Sequence, residues 1–417
     1  MGLPCSMLSM LKRAFFILGR GRRLCAPLSF SAFACIGTLE LSLHAAGCRD
    51  TERSWYMGIL LFNIALMALW AALFNPSGRS SSRRMFTVLC TLQWVLIAGL
   101  RAHDVGADTG TYEIFFYSYM PYDLGYVVDG FMGQYFGTGA ISISDAGYYL
   151  LMKLFQLFSS DYQVWLLFQA VAFFVPMGVF IHCYSKDPLI SWLVFSTVFY
   201  TFFAFSAVRQ ALALSIAVFV GYHAVRVRRP MLFLILILIA FTIHKSALVF
   251  APLYILYSFP FSKRFAVGYS IALLLLILFG RQAMSLVGEV FEEYAHYSGE
   301  SYVGSNTVLY AAVLLLFSGM LRWRWRDIAR ADPEATRTVH ALACSLTVIP
   351  LAFVNSNAFR AVFYYMIFLL LLLPSFTSSF PKSESTLVGV VATALMLAFM
   401  LFLGPVNDGA EFRFFWM

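Results

Sequence analysis

PMLFLILILIAFTIHKSALVFAPLYILYSF, residues 230–259, decides what kind of molecule this is. It is apolar throughout except for His244-Lys245 at its middle. A membrane-spanning helix needs about 20 mostly apolar residues, within a range of about 17–25. This stretch of 30 residues is too long for one ordinary crossing and short for two. It reads as a tight helical hairpin turning at His244, or as two short tilted helices.

Working outward, the same length test marks 55–74, 84–101, 162–183, 188–206, 208–225, 264–281, 306–321, 338–354, 358–374 and 386–404 as spans. With the hairpin, the fold class is an all-α polytopic membrane protein of about 12 transmembrane helices. Composition agrees: 61% of the chain is hydrophobic and 12% charged, where a soluble domain carries about 25% charged residues. Residues 55–417 read as a single polytopic membrane domain. Residues 1–54 form an N-terminal extension in which Lys12, Arg13, Arg20, Arg22 and Arg23 precede a weaker apolar stretch, 24–47, interrupted by Glu40 and His44. That stretch reads as a thirteenth helix, a signal-like segment, or translated sequence ahead of the true start.

Lys and Arg in short loops set the orientation, because basic residues stay on the cytoplasmic side. The loops holding Arg79/Arg83/Arg84, Arg226/Arg228/Arg229, Lys263/Arg264 and Arg322/Arg324/Arg326/Arg330 go inside together only if 147–159, GYYLLMKLFQLFS, does not cross. We read 147–159 as an amphipathic helix lying in the interface, interrupted by Lys153 and Gln156. The net charge of +8 is then a topology signal and requires no nucleic acid or other polyanion as partner. Two large loops, 102–161 and 282–305, fall outside, the first with short helices. The chemistry is expected where such loops meet the helix ends. Seven scattered cysteines show no metal-ligand spacing, and no phosphate-binding loop is present. No metal or other cofactor is expected.

Five cations, Arg101, Arg209, Lys245, Arg281 and Arg360, end apolar segments on that same outer side. Charges at the edge of hydrocarbon are costly and mark functional sites by default. Four of the five lie in motifs that also have a bland reading. In R-x-x-D-V-G-A-D-T-G-T-Y, 101–112, Asp108 or Thr109 caps a short helix running through Phe116 and Gly106 supplies the turn; alternatively Arg101 meets a phosphate and Asp108 is a base or holds a sugar hydroxyl. In S-A-V-R-Q, 206–210, snorkelling explains Arg209 but not the adjacent Gln210 amide. In F-T-I-H-K-S-A, 241–247, His244 is either a polar turn or a proton shuttle beside Lys245. In N-S-N-A-F-R-A-V-F-Y-Y, 355–365, Arg360 and Tyr364 share a helix face, either as an interfacial belt or as a phosphate and sugar contact.

Taken together and in this order, R-A-H-D-V-G-A-D-T-G-T-Y (101–112), D-A-G-Y-Y-L-L (145–151), F-S-A-V-R-Q-A-L-A (205–213), F-T-I-H-K-S-A-L (241–248) and F-R-A-V-F-Y-Y (359–365) resemble the EpsG family of Wzy-like bacterial polysaccharide polymerases. The resemblance covers roughly 55–417 and includes the aromatic ending E-F-R-F-F-W (411–416); Ala107 departs from the Thr usual there. It implies a membrane glycosyltransferase of the bacterial inner (cytoplasmic) membrane, working at its outer face without metal. The implied substrate is an undecaprenyl-diphosphate-linked oligosaccharide repeat unit, polymerised into exopolysaccharide, capsule or O-antigen. A flippase and a chain-length regulator of the same pathway are the implied partners, with the lipid bilayer.

On this reading Arg209 and Arg360 stabilise the departing diphosphate, with Arg101 in a lesser role, because guanidinium groups suit bidentate phosphate contacts and no D-x-D motif is present. His244 or Asp108 serves as base, the preference going to His244, with Asp108 orienting the acceptor or holding Arg101. Tyr112, Gln210, Lys245 and Tyr364 complete the substrate-binding set. The competing readings are an O-antigen-type ligase, a membrane O-acyltransferase, and a transporter or flippase of lipid-linked sugars.

Overall fold

The computed structural model describes residues 58–76, 78–290, 305–403 and 412–417. All lie in the compact unit Arg53–Met417. The 24–47 stretch lies outside the described residues, as does 291–304. Among the described residues every regular element is helical, and the only β-type pairing is an isolated antiparallel bridge between Arg101 and Phe414.

Among the described residues five helices are long and apolar enough to cross a membrane: Tyr162–Tyr184, Val208–Arg226, Lys263–Glu289, Ala335–Val354 and Ser383–Met400. Counting each of two bent pairs, Thr307–Trp323 with Trp325–Ala331 (76°) and Ser356–Met366 with Leu369–Thr377 (51°), as one span gives up to seven. The chain is therefore a helical membrane protein. Other apolar segments form shorter helices, such as Gly58–Phe74. Starts follow local chemistry: Asp187 accepts hydrogen bonds from the amides of Leu189 and Ile190 with Pro188 in the first turn, and Asp161 caps Tyr162–Tyr184 through the Gln163 amide.

The 230–259 segment is a hairpin. Pro230–Ile243 is one arm, His244 is a single extended residue (φ −157°, ψ 117°), and Lys245–Phe250 starts the return. Phe233 stacks on Tyr254 with centroids 5.2 Å apart, and Arg228 donates hydrogen bonds to Ser258 Oγ and the Tyr257 carbonyl. Both ends of the segment thus meet, and His244 is the tip. A 14-residue arm rises about 21 Å, less than a hydrocarbon core of about 30 Å.

The loops sort into two ends. At one, Arg83 donates to the carbonyls of His182 and Ser185, Arg226 pairs with Glu334 at 3.7 Å, Arg337 donates to the carbonyls of Tyr257 and Ser258, and Arg324 to that of Ser379. These are the basic loops grouped on charge. At the other end, Gln163 bonds the Gly99 carbonyl, the Tyr162 hydroxyl bonds the Thr109 carbonyl, and the amides of Ala102 and Phe415 pair with the carbonyls of Arg413 and Leu100.

Two expectations need correction. The 282–305 loop begins later, because Lys263–Val290 continues as helix past a kink at Phe279. The amphipathic helix spans Ala146–Gln156, and its polar residues face protein: Lys153 donates to the carbonyls of Tyr119 and Met120, and Gln156 to that of Phe116. Helix Thr109–Tyr119 ends with unpaired carbonyls, and Lys153 and Gln156 supply its donors.

Candidate active site

Helical turns of π type run through Phe195–Phe199 and Thr201–Ser206, then stop at Ala207 (φ −83°, ψ 60°). The chain restarts as Val208–Leu214, so Arg209 lies in a first turn. The 101–112 loop is clamped to this break. Gly106 has φ +107° and approaches so closely that an added Cβ would stand 2.0 Å from the Phe205 carbonyl oxygen, so only glycine fits. Thr109 Oγ1 lies 2.8 Å from the Val105 carbonyl and 3.0 Å from that of Phe205. One turn on, Tyr112 is thereby set beside Arg209.

Arg209 is held on three sides. Nε donates to the Tyr112 hydroxyl at 3.4 Å, and the guanidinium carbon lies 5.3 Å and 6.0 Å from the ring centroids of Tyr112 and Tyr148. Nη1 donates to Asp145 Oδ2 at 3.0 Å. The same oxygen lies 3.5 Å from His244 Nδ1, within ion-pairing distance though no hydrogen bond is formed. Side-chain exposures are 24% for Arg209, 7% for Asp145 and 5% for His244.

Asp145 owes its position to two local features. Its backbone is left-handed (φ 50°, ψ 41°), a conformation that Asp tolerates better than most residues. Two residues on, Gly147 lies against the hairpin arm, where a Cβ would come 2.3 Å from Thr242 Oγ1 and 2.6 Å from its carbonyl carbon. The absent side chain lets helix Ala146–Gln156 reach the hairpin tip. Burial pushes the Asp145 pKa up, but His244, Arg209 and Lys245 outweigh it and hold the carboxyl below its ordinary 3.8. Tyr112 moves the other way: burial raises its pKa and Arg209 only partly opposes this, so it remains a phenol.

Several buried polar atoms here have no hydrogen-bond partner among the described residues: Asp145 Oδ1, both ring nitrogens of His244, and Gln210 Oε1. Buried polar groups are normally satisfied, so this concentration singles out the cluster. Gln210 Nε2 donates to the Arg360 carbonyl at 2.6 Å, tying the 208–226 and 359–366 helices together. The charges of Arg360 and Arg209 both act on His244 and on Tyr112. Lys245 is buried next to the tip, and Ser246 Oγ donates to the fully buried Tyr364 hydroxyl at 3.4 Å.

Of the residues singled out from sequence, Arg209, Gln210, Tyr112, His244, Lys245, Arg360 and Tyr364 come together. Asp108 and Arg101 do not join them. Asp108 is partly exposed, makes no side-chain capping bond and acts on the cluster only as a charge near Tyr112. It does not hold Arg101, which is buried and turns to the carbonyls of Ala98 and Val105. Arg281 borders a separate groove. Asp145, the carboxylate at the centre, was absent from the sequence-derived set although its motif was recognised. An acid followed by Ala-Gly-Tyr-Tyr, small residues for close approach and then aromatics for burial, was the available signal.

Fold and cluster define a polytopic helical membrane protein with a buried Arg-Asp-His site at one end of its bundle. The EpsG family model matches residues 83–415, and the chain belongs to the EpsG family. No curated protein and no solved structure matches it.

Proposed function

We propose that this protein polymerises undecaprenyl-diphosphate-linked repeat units into a surface polysaccharide, as a glycosyltransferase of the bacterial inner membrane with its basic end in the cytoplasm. Family membership supports a polymerase-type role. The observation that carries the chemistry is His244, held at a hairpin tip with Nδ1 towards Asp145 and Nε2 unpartnered.

In this reading the Asp145 carboxylate, 3.5 Å from Nδ1, favours the proton on that nitrogen electrostatically, leaving Nε2 to accept the proton of the acceptor hydroxyl. The hydroxyl oxygen attacks the anomeric carbon of the donor. The bond from that carbon to the diphosphate oxygen breaks, and its electron pair leaves with the lipid diphosphate. Arg209 retains Nη2, for which no hydrogen bond is found among the described residues, and with Arg360 it stabilises the departing charge. Tyr112 and Tyr148 hold Arg209, Gln210 fixes the 359–366 helix, and Lys245 adds positive charge. Asp145, and not Asp108, is the carboxylate beside His244 in this reading.

Purified protein in bilayers, given lipid-linked repeats, should build a ladder of polymer. His244→Gln and Arg209→Ala should leave single repeats unconverted, and cells carrying Arg209→Ala should accumulate those units on the outer leaflet. Accumulation on the inner leaflet would instead identify a transporter.

A further inference from the structure

Helix Thr307–Trp323 turns by 76° into Trp325–Ala331, with Arg324 at the joint (φ −100°, ψ 15°). The protein holds this joint itself: Arg324 donates to the Ser379 carbonyl at 2.8 Å, pairs with Asp327 at 3.0 Å and lies 4.3 Å from the centroid of the Phe380 ring. The bend leaves an opening of about 1000 Å³ against the first turns of Lys263–Val290 and the body of Ala335–Val354. Its buried lining is apolar, supplied by Leu321, Val339 and Leu342, with Leu346 partly buried beyond them. Its exposed lining carries Lys263, Arg322, Arg326 and Arg330. The one carboxylate lining it, Asp327, is already taken by Arg324 and, at 3.6 Å, by Arg330. Lys263, Arg322 and Arg326 have no acceptor among the described residues.

Charge sorting by side explains why cations lie at this end of the bundle, but not why three stay unpaired around an apolar hollow. Elsewhere at the same end Arg83, Arg228 and Arg337 are bound to the protein's own carbonyls and Arg226 to Glu334. Like charges gathered without a counter-ion repel one another, and an anion among them relieves that repulsion. Depth and access decide what carries the anion. From Val339 to Leu346 the apolar lining rises about 10 Å, within the half-thickness of about 15 Å that one leaflet offers. One wall belongs to Lys263–Val290, which continues with Val267, Ile271 and Leu274 exposed, so the hollow borders a lipid-facing surface. Trp323 and Trp325 also line it, and tryptophan favours the headgroup level of a bilayer. We propose that this opening seats an anionic phospholipid of the leaflet at the basic end. Its phosphate meets Lys263, Arg322 and Arg326, and an acyl chain runs along Leu321, Val339 and Leu342. The bound lipid braces the 76° bend by cancelling the repulsion across it. The site uses nothing of the His244 cluster and goes beyond the polymerase reading.

The test uses the full chain in phosphatidylcholine nanodiscs holding a minor fraction of phosphatidylglycerol brominated on its acyl chains, and reads the quenching of tryptophan fluorescence. The part of the quenching that Trp323→Phe/Trp325→Phe protein lacks reports the opening. That part should show a preference for brominated phosphatidylglycerol over brominated phosphatidylcholine of about fivefold per cation, or about 10²-fold for three, shrinking as salt is raised. Lys263→Gln/Arg322→Gln/Arg326→Gln, at exposed positions, should abolish the preference. Ala266→Phe, which fills the hollow and leaves every charge in place, should abolish it too. No preference in the wild type, or one that survives the triple substitution, would overturn the proposal. A preference that survives Ala266→Phe would reduce it to diffuse surface attraction and overturn the seat. Displacement of the lipid by soluble polyglutamate would assign the opening to an acidic protein segment instead. The expected preference in a protein that polymerises no donor would uphold this site and remove the polymerase reading.

Discussion

Replacing Asp145 with Asn removes one charge and almost no volume, and Asn tolerates the left-handed backbone found there. Any loss therefore reports the charge. In the native cluster Asp145 faces Arg209 at 3.0 Å and His244 at 3.5 Å, with Lys245 adding to the positive field. Removing one partner of a buried pair costs about 3–5 kcal/mol. Arg209 retains 24% exposure, so water recovers part of this and we place the stability loss near the lower bound, about 3 kcal/mol. Without the carboxylate nothing fixes the proton on Nδ1, and turnover should fall by about 10²-fold or more, the scale of a general base. KM for the lipid-linked donor should change much less. Asp145→Glu should recover activity only in part, because Glu is less at ease with φ 50°. The assay is the initial rate of ladder formation in bilayers, paired with thermal unfolding. An Asp145→Asn protein turning over within about threefold of wild type would refute the assignment of Asp145 as the group that orients His244.

Four further outcomes follow from the same geometry. Asp108→Asn should retain turnover within a few-fold, measured beside Asp145→Asn, since Asp108 is outside the cluster. Gly147→Ala forces a Cβ into Thr242 and should cost about 1–3 kcal/mol by overpacking, lowering thermal stability and turnover together. Arg101→Ala removes hydrogen bonds to Ala98 and Val105 and should lower the unfolding midpoint while leaving donor KM unchanged in the surviving folded fraction. Because folding holds the Asp145 pKa below 3.8, its ionised form contributes stability in full above about pH 5 and loses it as pH falls through the folded-state pKa; pH-dependent unfolding should show that acid-side loss in wild type and not in Asp145→Asn.

Much of the site was legible because its parts are polar groups stranded in apolar sequence. Arg209, His244 and Arg360 stand out against their neighbours, and the hairpin was legible from its length and central His-Lys pair. Asp145 was not, because the 102–161 loop carries several acids and only the Gly147–Thr242 approach selects one of them. Arg101 shows the converse limit. Sequence places a cation at a helix end but does not show that its side chain folds back on the carbonyls of Ala98 and Val105. Span number was also poorly legible: an apolar stretch does not record whether its helix bends, as at 356–377 (51°), or stops short, as at Ile243.

The chain reversal at His244 bears on how the protein is threaded during synthesis. A segment whose two ends are pinned to each other by Arg228 and Ser258 contributes an even number of passages, zero or two, to the polypeptide's route. Every later stretch, including the one bearing Arg360, therefore keeps its sidedness whichever number holds. The depth of the tip therefore does not decide the sidedness of anything downstream, and it is set instead by the contacts of Thr242 and Ser246 with Gly147 and Tyr364.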